Sequence, residues 1–180
     1  MRHLKTQAII LKRRNVGEAD RILTVLSEKA GKISIKAAGV RKITSRRSSH
    51  IELLNYSQLS LYKGRGMNVL IEAQTMDAFS EIKDNLRKTG YAYYICELVD
   101  GLCPENQENS AIFQLLKETL TRLSLGSEIK TLIHDFEVTL LSLLGFYPNY
   151  QVAPQFNTTA YIEQILEKKL KTRQILLQFI

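Results

Sequence analysis

Long apolar runs are missing from this chain, and with them several large classes of protein. No uninterrupted apolar stretch approaches the roughly 20 residues a helix needs to cross a bilayer. The most apolar segment, Leu140 to Phe146, is broken by Ser142 and Gly145. The opening MRHLKTQAIILKRR has a short apolar core, but basic residues follow it and no small-residue cleavage site appears, so it reads as a strand and not a signal peptide. The expected location is the cytoplasm, with no membrane partner. Cysteine is scarce: Cys96 and Cys103 are too few for a disulfide framework or a four-cysteine zinc site. Seven residues apart on a helix they would share a face, yet no neighbouring Cys or His completes a ligand set. Two buried thiols are expected, with no metal and no cofactor.

Catalytic signatures are missing too. There is no Gly-x-x-x-x-Gly-Lys phosphate loop and no serine elbow. His3, His50 and His134 fall in a strand, a loop and a helix, which does not suit a triad. Glu18 and Asp20 could be imagined holding the metal of a nuclease. Beside Gly17 and Arg21, however, a turn-capping or ion-pairing role fits them better. No catalytic residue is assigned, and the chain is read as a binding protein, not an enzyme.

What is present is positive charge, unevenly spread. The 180 residues carry a net charge of +7, with 44% hydrophobic and 24% charged residues, ordinary for a folded protein. Residues 1–80 hold 15 Lys and Arg against 6 Asp and Glu, whereas residues 81–180 hold 10 against 12. Such asymmetry points to one half that meets a polyanion and another that does something else. Two domains are expected, 1–80 and 81–180.

The two halves also differ in hydrophobic period. In Gly31 to Gly39 the residues Ile33, Ile35 and Ala37 alternate with Lys32, Ser34 and Lys36, the pattern of a half-buried strand with a basic outer face. Similar segments run over Lys5 to Arg13, Arg21 to Ser27, Gln58 to Lys63 and Met67 to Asp77. Glycines at Asn15-Val-Gly17, Lys29-Ala-Gly31 and Gly64-Arg-Gly66 suit turns that need a positive φ. Arg41 to Tyr56 reads as a polar, serine-rich connection. Five strands with one long connection fit a small Greek-key barrel; an OB-fold leads, and an SH3-like barrel stays open. Beyond residue 80 the spacing becomes helical. Tyr91, Tyr94, Ile95, Leu98, Val99 and Leu102 form one stripe. Ile112, Leu115, Leu116, Thr119 and Leu123 form a second, with Gly126 after it. Leu132, Ile133, Phe136, Leu140, Leu141 and Leu144 form a third, stopped by Gly145 and Pro148. An irregular link over 149–157 leads to helical segments near Thr159 to Leu170 and Thr172 to Phe179. By content the chain is α+β, an all-β barrel followed by a helical bundle.

Several cations fall where adjacent strands and loops of the barrel would line a groove. These are Lys12, Arg13 and Arg14 at the end of the first strand, and Arg21 at the start of the second. Lys32 and Lys36 lie on the third, Arg41, Lys42, Arg46 and Arg47 in the long connection, and Lys63 and Arg65 in a glycine-rich turn. Cation density along a track is what phosphate binding requires. A solvated basic surface of no special purpose is the competing interpretation. Confinement of the charge to one barrel-like half weighs against it. Aromatic platforms for bases are sparse: Tyr56 and Tyr62 are the only aromatics before Phe79. Binding should therefore lean on the backbone and be weakly sequence-selective.

These segments together resemble a known family. Asn15-Val-Gly-Glu-Ala-Asp-Arg-Ile-Leu-Thr24, Glu28-Lys-Ala-Gly-Lys-Ile-Ser34 and Ala38-Gly-Val-Arg-Lys-Ile-Thr-Ser-Arg46 are similar to the N-terminal signature of the RecO family of bacterial recombination mediators. Leu61-Tyr-Lys-Gly-Arg-Gly66 and Glu72-Ala-Gln continue the likeness. In the helical half, Tyr93, Glu97, Leu98, Phe136-Glu137, Leu144-Gly-Phe-Tyr-Pro148 and Leu170-Lys-Thr-Arg173 resemble it more patchily. The last of these is similar to the close of family chains, which implies a nearly complete chain. The resemblance implies an N-terminal OB-fold and a helical domain, binding of single- and double-stranded DNA, and annealing of complementary strands. It also implies contact with RecR and with the C-terminal tail of single-strand-binding protein, helping to load RecA, in the bacterial cytoplasm at the nucleoid. Arg21, Lys32, Arg41, Lys42 and Arg46 lie inside the matching motifs. Many family members carry a four-cysteine zinc module after the segment matching Leu144 to Pro148; residues 149–160 here contain no cysteine, so no zinc is expected. Arg122, Lys130 or Arg173 would help the helices hold a partner. Two other interpretations of the basic barrel remain open: an RNA-binding accessory factor of translation or ribosome assembly, and an adaptor that docks an acidic protein tail.

Overall fold

The alternating segments become five strands: β1 (His3–Val16), β2 (Asp20–Ser27), β3 (Gly31–Ala37), β4 (Tyr56–Tyr62) and β5 (Asn68–Asp77). The structure, a computed structural model, describes residues 3–146 and 157–176. The strands close into a barrel in the order β1-β2-β3-β5-β4. That is the OB-fold arrangement, and it removes the SH3-like alternative. Closure depends on β1, which is long enough to serve two neighbours. Its first half pairs with β4 from His3↔Tyr62 to Ile9↔Tyr56, and its second half with β2 from Ala8↔Ser27 to Val16↔Asp20. A bulge between Ile10 and Lys12 bends it between the two. The barrel closes on the other side where β3 and β5 run parallel through only two pairs, Ile35↔Asn68 and Lys36↔Val69.

Inside the barrel pack Ala8, Ile10, Leu23, Val25, Ile33, Ile35, Ala37, Leu59, Leu61 and Leu70, joined by Val40 and Ile51 from the β3–β4 connection. That connection is not a plain loop: it contains a short 3-10 helix, Ser48–Ile51, whose Ile51 is fully buried. Glycine serves backbone geometry at Gly17 (φ +56°) and Gly31 (φ +67°). Gly64 and Gly66 are not in the positive-φ region, contrary to expectation. At Gly64 the constraint is space, because a Cβ would stand 2.6 Å from the Met67 carbonyl oxygen.

Two compact units divide the chain. One is Met1–Phe79 with Pro104–Phe113; the other is Ser80–Cys103 with Gln114–Ile180. In the first, the returning segment lies against the start of β3: Asn106 N–H donates to the Lys32 carbonyl at 2.8 Å, and a Cβ on Gly31 would fall 1.8 Å from the Gln107 carbonyl oxygen. The Phe113 ring sits 6.3 Å from that of Tyr56.

The helices are α1 (Ser80–Lys83), α2 (Leu86–Leu102), α3 (Ser110–Ser124), α4 (Ile129–Leu143), α5 (Thr158–Leu166) and α6 (Lys171–Leu176). Side chains satisfy their first-turn amides, as a helix start requires. Asn85 accepts from Lys88 N–H, Glu128 from Lys130 and Thr131 N–H, and Asn157 from Ala160 N–H. The three predicted stripes are buried except Tyr91, Leu115 and Leu144, which are half-exposed. The helix expected to run to Leu170 stops at Leu166. Glu167 turns into the left-handed region at φ +52°, and the chain folds back so that buried Glu163 accepts Leu170 N–H at 3.1 Å and pairs with Lys169 and Arg173. Pro148, the link over 149–156 and the last helical residues to Phe179 lie outside the described residues. A second buried carboxylate, Glu137, receives the hydroxyls of Tyr94, Thr158 and Thr159, fastening α5 to α2 and α4. Burial and the adjacent Glu137 carboxylate raise Tyr94 well above the usual phenol range. Among the described residues no helix is long and apolar enough to cross a membrane.

Candidate nucleic-acid interface

The strand pairings decide which cations share a surface. Arg21↔Ala37 puts the β1–β2 turn at the end of β3, while Ile35↔Asn68 and Lys36↔Val69 lay the β4–β5 loop along its side. The β3–β4 connection starts from the same end, held by Arg41 N–H on the Ala19 carbonyl at 2.9 Å. Three basic segments thus flank the outer part of β3. Lys42, Arg46, Lys63 and Arg65 are exposed on these loops, and Arg14 is exposed on β1, in register with Ile22 of β2, itself in register with Lys36 of β3. The side chains of Arg14, Arg46, Lys63 and Arg65 hold no hydrogen bond or ion pair among the described residues. Lys12 is exposed on β1.

The other predicted cations are engaged within the fold. Lys32 was expected on the basic outer face; it is buried at 7% exposure, because the segment around Glu105 and Asn106 bridges onto it. Arg13 and Arg21 do not project outward either. The bulge in β1 resets its alternation, so Arg13 lies on the side of its partner Leu23, and Arg21 on that of buried Ala37. Both guanidiniums converge on Glu52, Arg13 in direct hydrogen-bonding contact and Arg21 at 3.6 Å. Arg47 donates to the carbonyls of Ala38 and Leu70, each at 2.8 Å, and so clasps the end of β3 to β5 beside their two-residue ladder. Lys36 is exposed but pairs with Asp20 at 3.2 Å. The Gly39 N–H, then the Lys36 ammonium, hold the Asp20 carboxyl below its usual range. Arg41 is exposed, with its guanidinium on the Gly17 carbonyl at 2.9 Å.

Of the two aromatics considered as base platforms, Tyr56 is buried, its hydroxyl on Gln7, and contributes to the core. Tyr62 meets the His3 ring edge-on at 5.5 Å. Sequence reasoning missed Glu52, the anion that organises Arg13 and Arg21. It also missed Lys5, which with Arg46, His50, Gln58, Ser60 and Gln74 lines a polar groove of about 330 Å³ on the β1-β4-β5 face. Strand alternation alone would have put Lys5 on that face. Cys96 and Cys103 are both buried, and burial, then Asp100, push the Cys96 thiol up to about 12. Among the described residues no group of three His, Cys, Asp or Glu is placed to hold a metal ion.

Comparison with known proteins agrees with this architecture. Residues 1–79 match the family model for the Recombination protein O N terminal, and residues 83–152 match that for the Recombination protein O C terminal. A Dehalococcoides mccartyi protein named DNA repair protein RecO is 42% identical over 144 residues, 80% of this chain and 57% of that one. Its namesake from Roseiflexus is 38% identical over 144 residues, 80% of this chain and 50% of that protein. The Pelotomaculum thermopropionicum protein of the same name is 36% identical over 148 residues, 82% and 57% of the two chains. The chain therefore spans little more than half the length of these relatives. With a barrel matching the first half of the family and helices matching the second, the chain belongs to the RecO family.

Proposed function

We propose that this protein acts in DNA repair as a recombination mediator, its barrel holding the sugar–phosphate backbone of DNA along the outer side of β3. The observation that carries this reading is the sorting of the cations. Glu52 holds the inward-facing Arg13 and Arg21 and backbone carbonyls hold Arg47, while Arg14 on β1 and Lys42, Arg46, Lys63 and Arg65 on the loops beside β3 remain exposed. Such a track neutralises phosphates without reading bases, so it accepts single and double strands alike. Holding two strands lowers their mutual repulsion and raises their local concentration, which promotes annealing of complementary segments.

The helical unit is the proposed partner surface for RecR and for the acidic tail of single-strand-binding protein, helping RecA to load. A cleft of about 270 Å³ lined by Leu86, Gly90, Tyr93, Ile175 and Leu176 includes Arg87, a cation that suits an acidic tail. Arg122 lines a second, more polar cleft with His134 and Asp135. Arg173 is engaged with Glu163 and is the weaker candidate.

The test is binding of labelled single-stranded DNA across a salt series. With about six phosphates covered, the log–log slope should be roughly −4, and a Lys42→Ala/Arg46→Ala/Arg65→Ala variant should flatten it by about 2. Annealing of complementary oligonucleotides should fall in the same variant. Absence of binding at low salt would refute the phosphate track.

A further inference from the structure

Ile43 stands out on the barrel surface. It is 105% exposed, in full contact with water, in the middle of the Arg41-Lys42-Ile43-Thr44-Ser45-Arg46 run. A single exposed apolar side chain normally carries no meaning. Here the backbone on both sides is fastened. Arg41 N–H binds the Ala19 carbonyl at 2.9 Å, Lys42 N–H the Gly39 carbonyl at 3.2 Å, and Ser45 N–H the Lys42 carbonyl at 2.9 Å. Asp20 accepts Gly39 N–H at 2.8 Å on one flank, and Arg47 grips the Ala38 and Leu70 carbonyls on the other. A turn tied at so many points does not swing inward to bury its tip. The side chain itself is β-branched and stiff, so little freedom is lost when something packs against it.

Resting on the phosphate track described above, we propose that Ile43 is a base-contacting wedge that makes the track favour single strands over duplex. Lys42 and exposed Arg46 would draw a phosphate backbone past the turn, and the unstacked bases of a single strand would then lie against the isoleucine. Magnitude decides the preference. Complete burial of an isoleucine is worth roughly tenfold to a hundredfold in affinity. Prising open a base step of a duplex costs about that much or more. The contact therefore favours bases that are already unstacked and gives no net gain on a duplex. Met67, 37% exposed beside Arg65 in the β4–β5 loop, offers a weaker contact of the same kind.

The experiment uses three probes of equal length: a thymidine oligonucleotide, a duplex, and an abasic deoxyribose-phosphate oligomer. Ile43→Ser should lower affinity for the thymidine strand about fivefold at every salt concentration, a contact worth part of a buried side chain, with the salt slope unchanged. Its affinity for the duplex and the abasic oligomer should match wild type. The chain contains no tryptophan, so Ile43→Trp supplies a lone reporter whose emission should be quenched by the thymidine strand and not by the abasic one. Equal thymidine affinity for wild type and Ile43→Ser, or equal quenching by both strands, would overturn the wedge while leaving the phosphate track standing. Failure of wild type to bind any probe would overturn both.

Discussion

Arg46 and Arg47 are adjacent in sequence and should behave as opposites. Arg47 spends its guanidinium on two carbonyls, Ala38 and Leu70, each at 2.8 Å, with Ile71 at 3.5 Å as a marginal third. These join the ends of β3 and β5, where the ladder consists of two residue pairs. A hydrogen bond from a charged group is worth about 1.5 kcal/mol or more. Losing two, with some allowance for solvent reaching the half-buried side chain, should cost about 2–3 kcal/mol in Arg47→Ala. Arg47→Lys should recover only part, because one ammonium does not reproduce a planar fork spanning two acceptors. Arg46 is exposed and without an internal partner among the described residues, so Arg46→Ala should cost under about 0.5 kcal/mol. Its effect should instead appear in DNA binding, where loss of one phosphate contact flattens the single-strand salt slope by about 0.7. Urea unfolding followed by circular dichroism gives the first quantity, and fluorescence anisotropy across a salt series the second. An Arg47→Ala protein as stable as wild type would refute the clasp. An Arg46→Ala protein with an unchanged slope would remove Arg46 from the track.

Three further outcomes follow from local geometry. Gly31→Ala must relieve both a φ of +67° and a Cβ placed 1.8 Å from the Gln107 carbonyl oxygen; it should destabilise the protein by about 2 kcal/mol or more, with faster hydrogen exchange at Asn106. Glu97 on α2 caps α6 by accepting Lys171 N–H at 3.0 Å, Thr172 N–H at 2.9 Å and the Thr172 hydroxyl. Glu97→Ala should therefore cost about 1–2 kcal/mol and speed tryptic cleavage at Lys171 and Arg173. Burial opposes ionisation of Glu97, but these bonds outweigh it and lower its pKa; the Leu170 N–H, then Lys169, lower that of Glu163. Carboxylates depressed in the folded state contribute stability that is complete above their unfolded values and lost as pH falls through the folded ones. Denaturation midpoints should therefore drop as the pH is taken below about 4.5, the ordinary glutamate value, and Glu97→Gln should reduce the steepness of that drop. A midpoint flat from pH 6 to about pH 3 would refute the linkage.

Much of the architecture could be read from hydrophobic period, because burial on one face imposes period on sequence. Ile33, Ile35 and Ala37 had to point together, and so did Leu98, Val99 and Leu102. What escaped was whatever depends on contacts between distant segments. Lys32 alternates correctly with Ile33, yet it is covered by a stretch more than seventy residues away that carries no periodic mark of its own. Arg13 was misplaced by a bulge, one extra residue that reverses every later position on the strand and leaves no signature in composition. Leu166 ends its helix because Glu163 recruits Leu170 and Arg173, a preference set by the buried carboxylate and not by helix propensity.

The same distinction governs the site. Sequence counts cations, but affinity for a polyanion depends on cations that are not already neutralised. In the barrel half the acidic residues are few, and two of them, Glu52 and Asp20, sit on predicted site residues: Arg13, Arg21 and Lys36. Net charge is unaltered by where these pairs form, so composition cannot separate a clasp from a contact. Position can. An arginine whose donors are met by carbonyls, as Arg47's are, would have to break the barrel seam to reach a phosphate, at a cost comparable to what one phosphate returns. Arg46, one residue away, gives up only water. On this physical ground the phosphate track should be narrower than the basic sequence, with Arg14, Lys42, Arg46, Lys63 and Arg65 as its principal members.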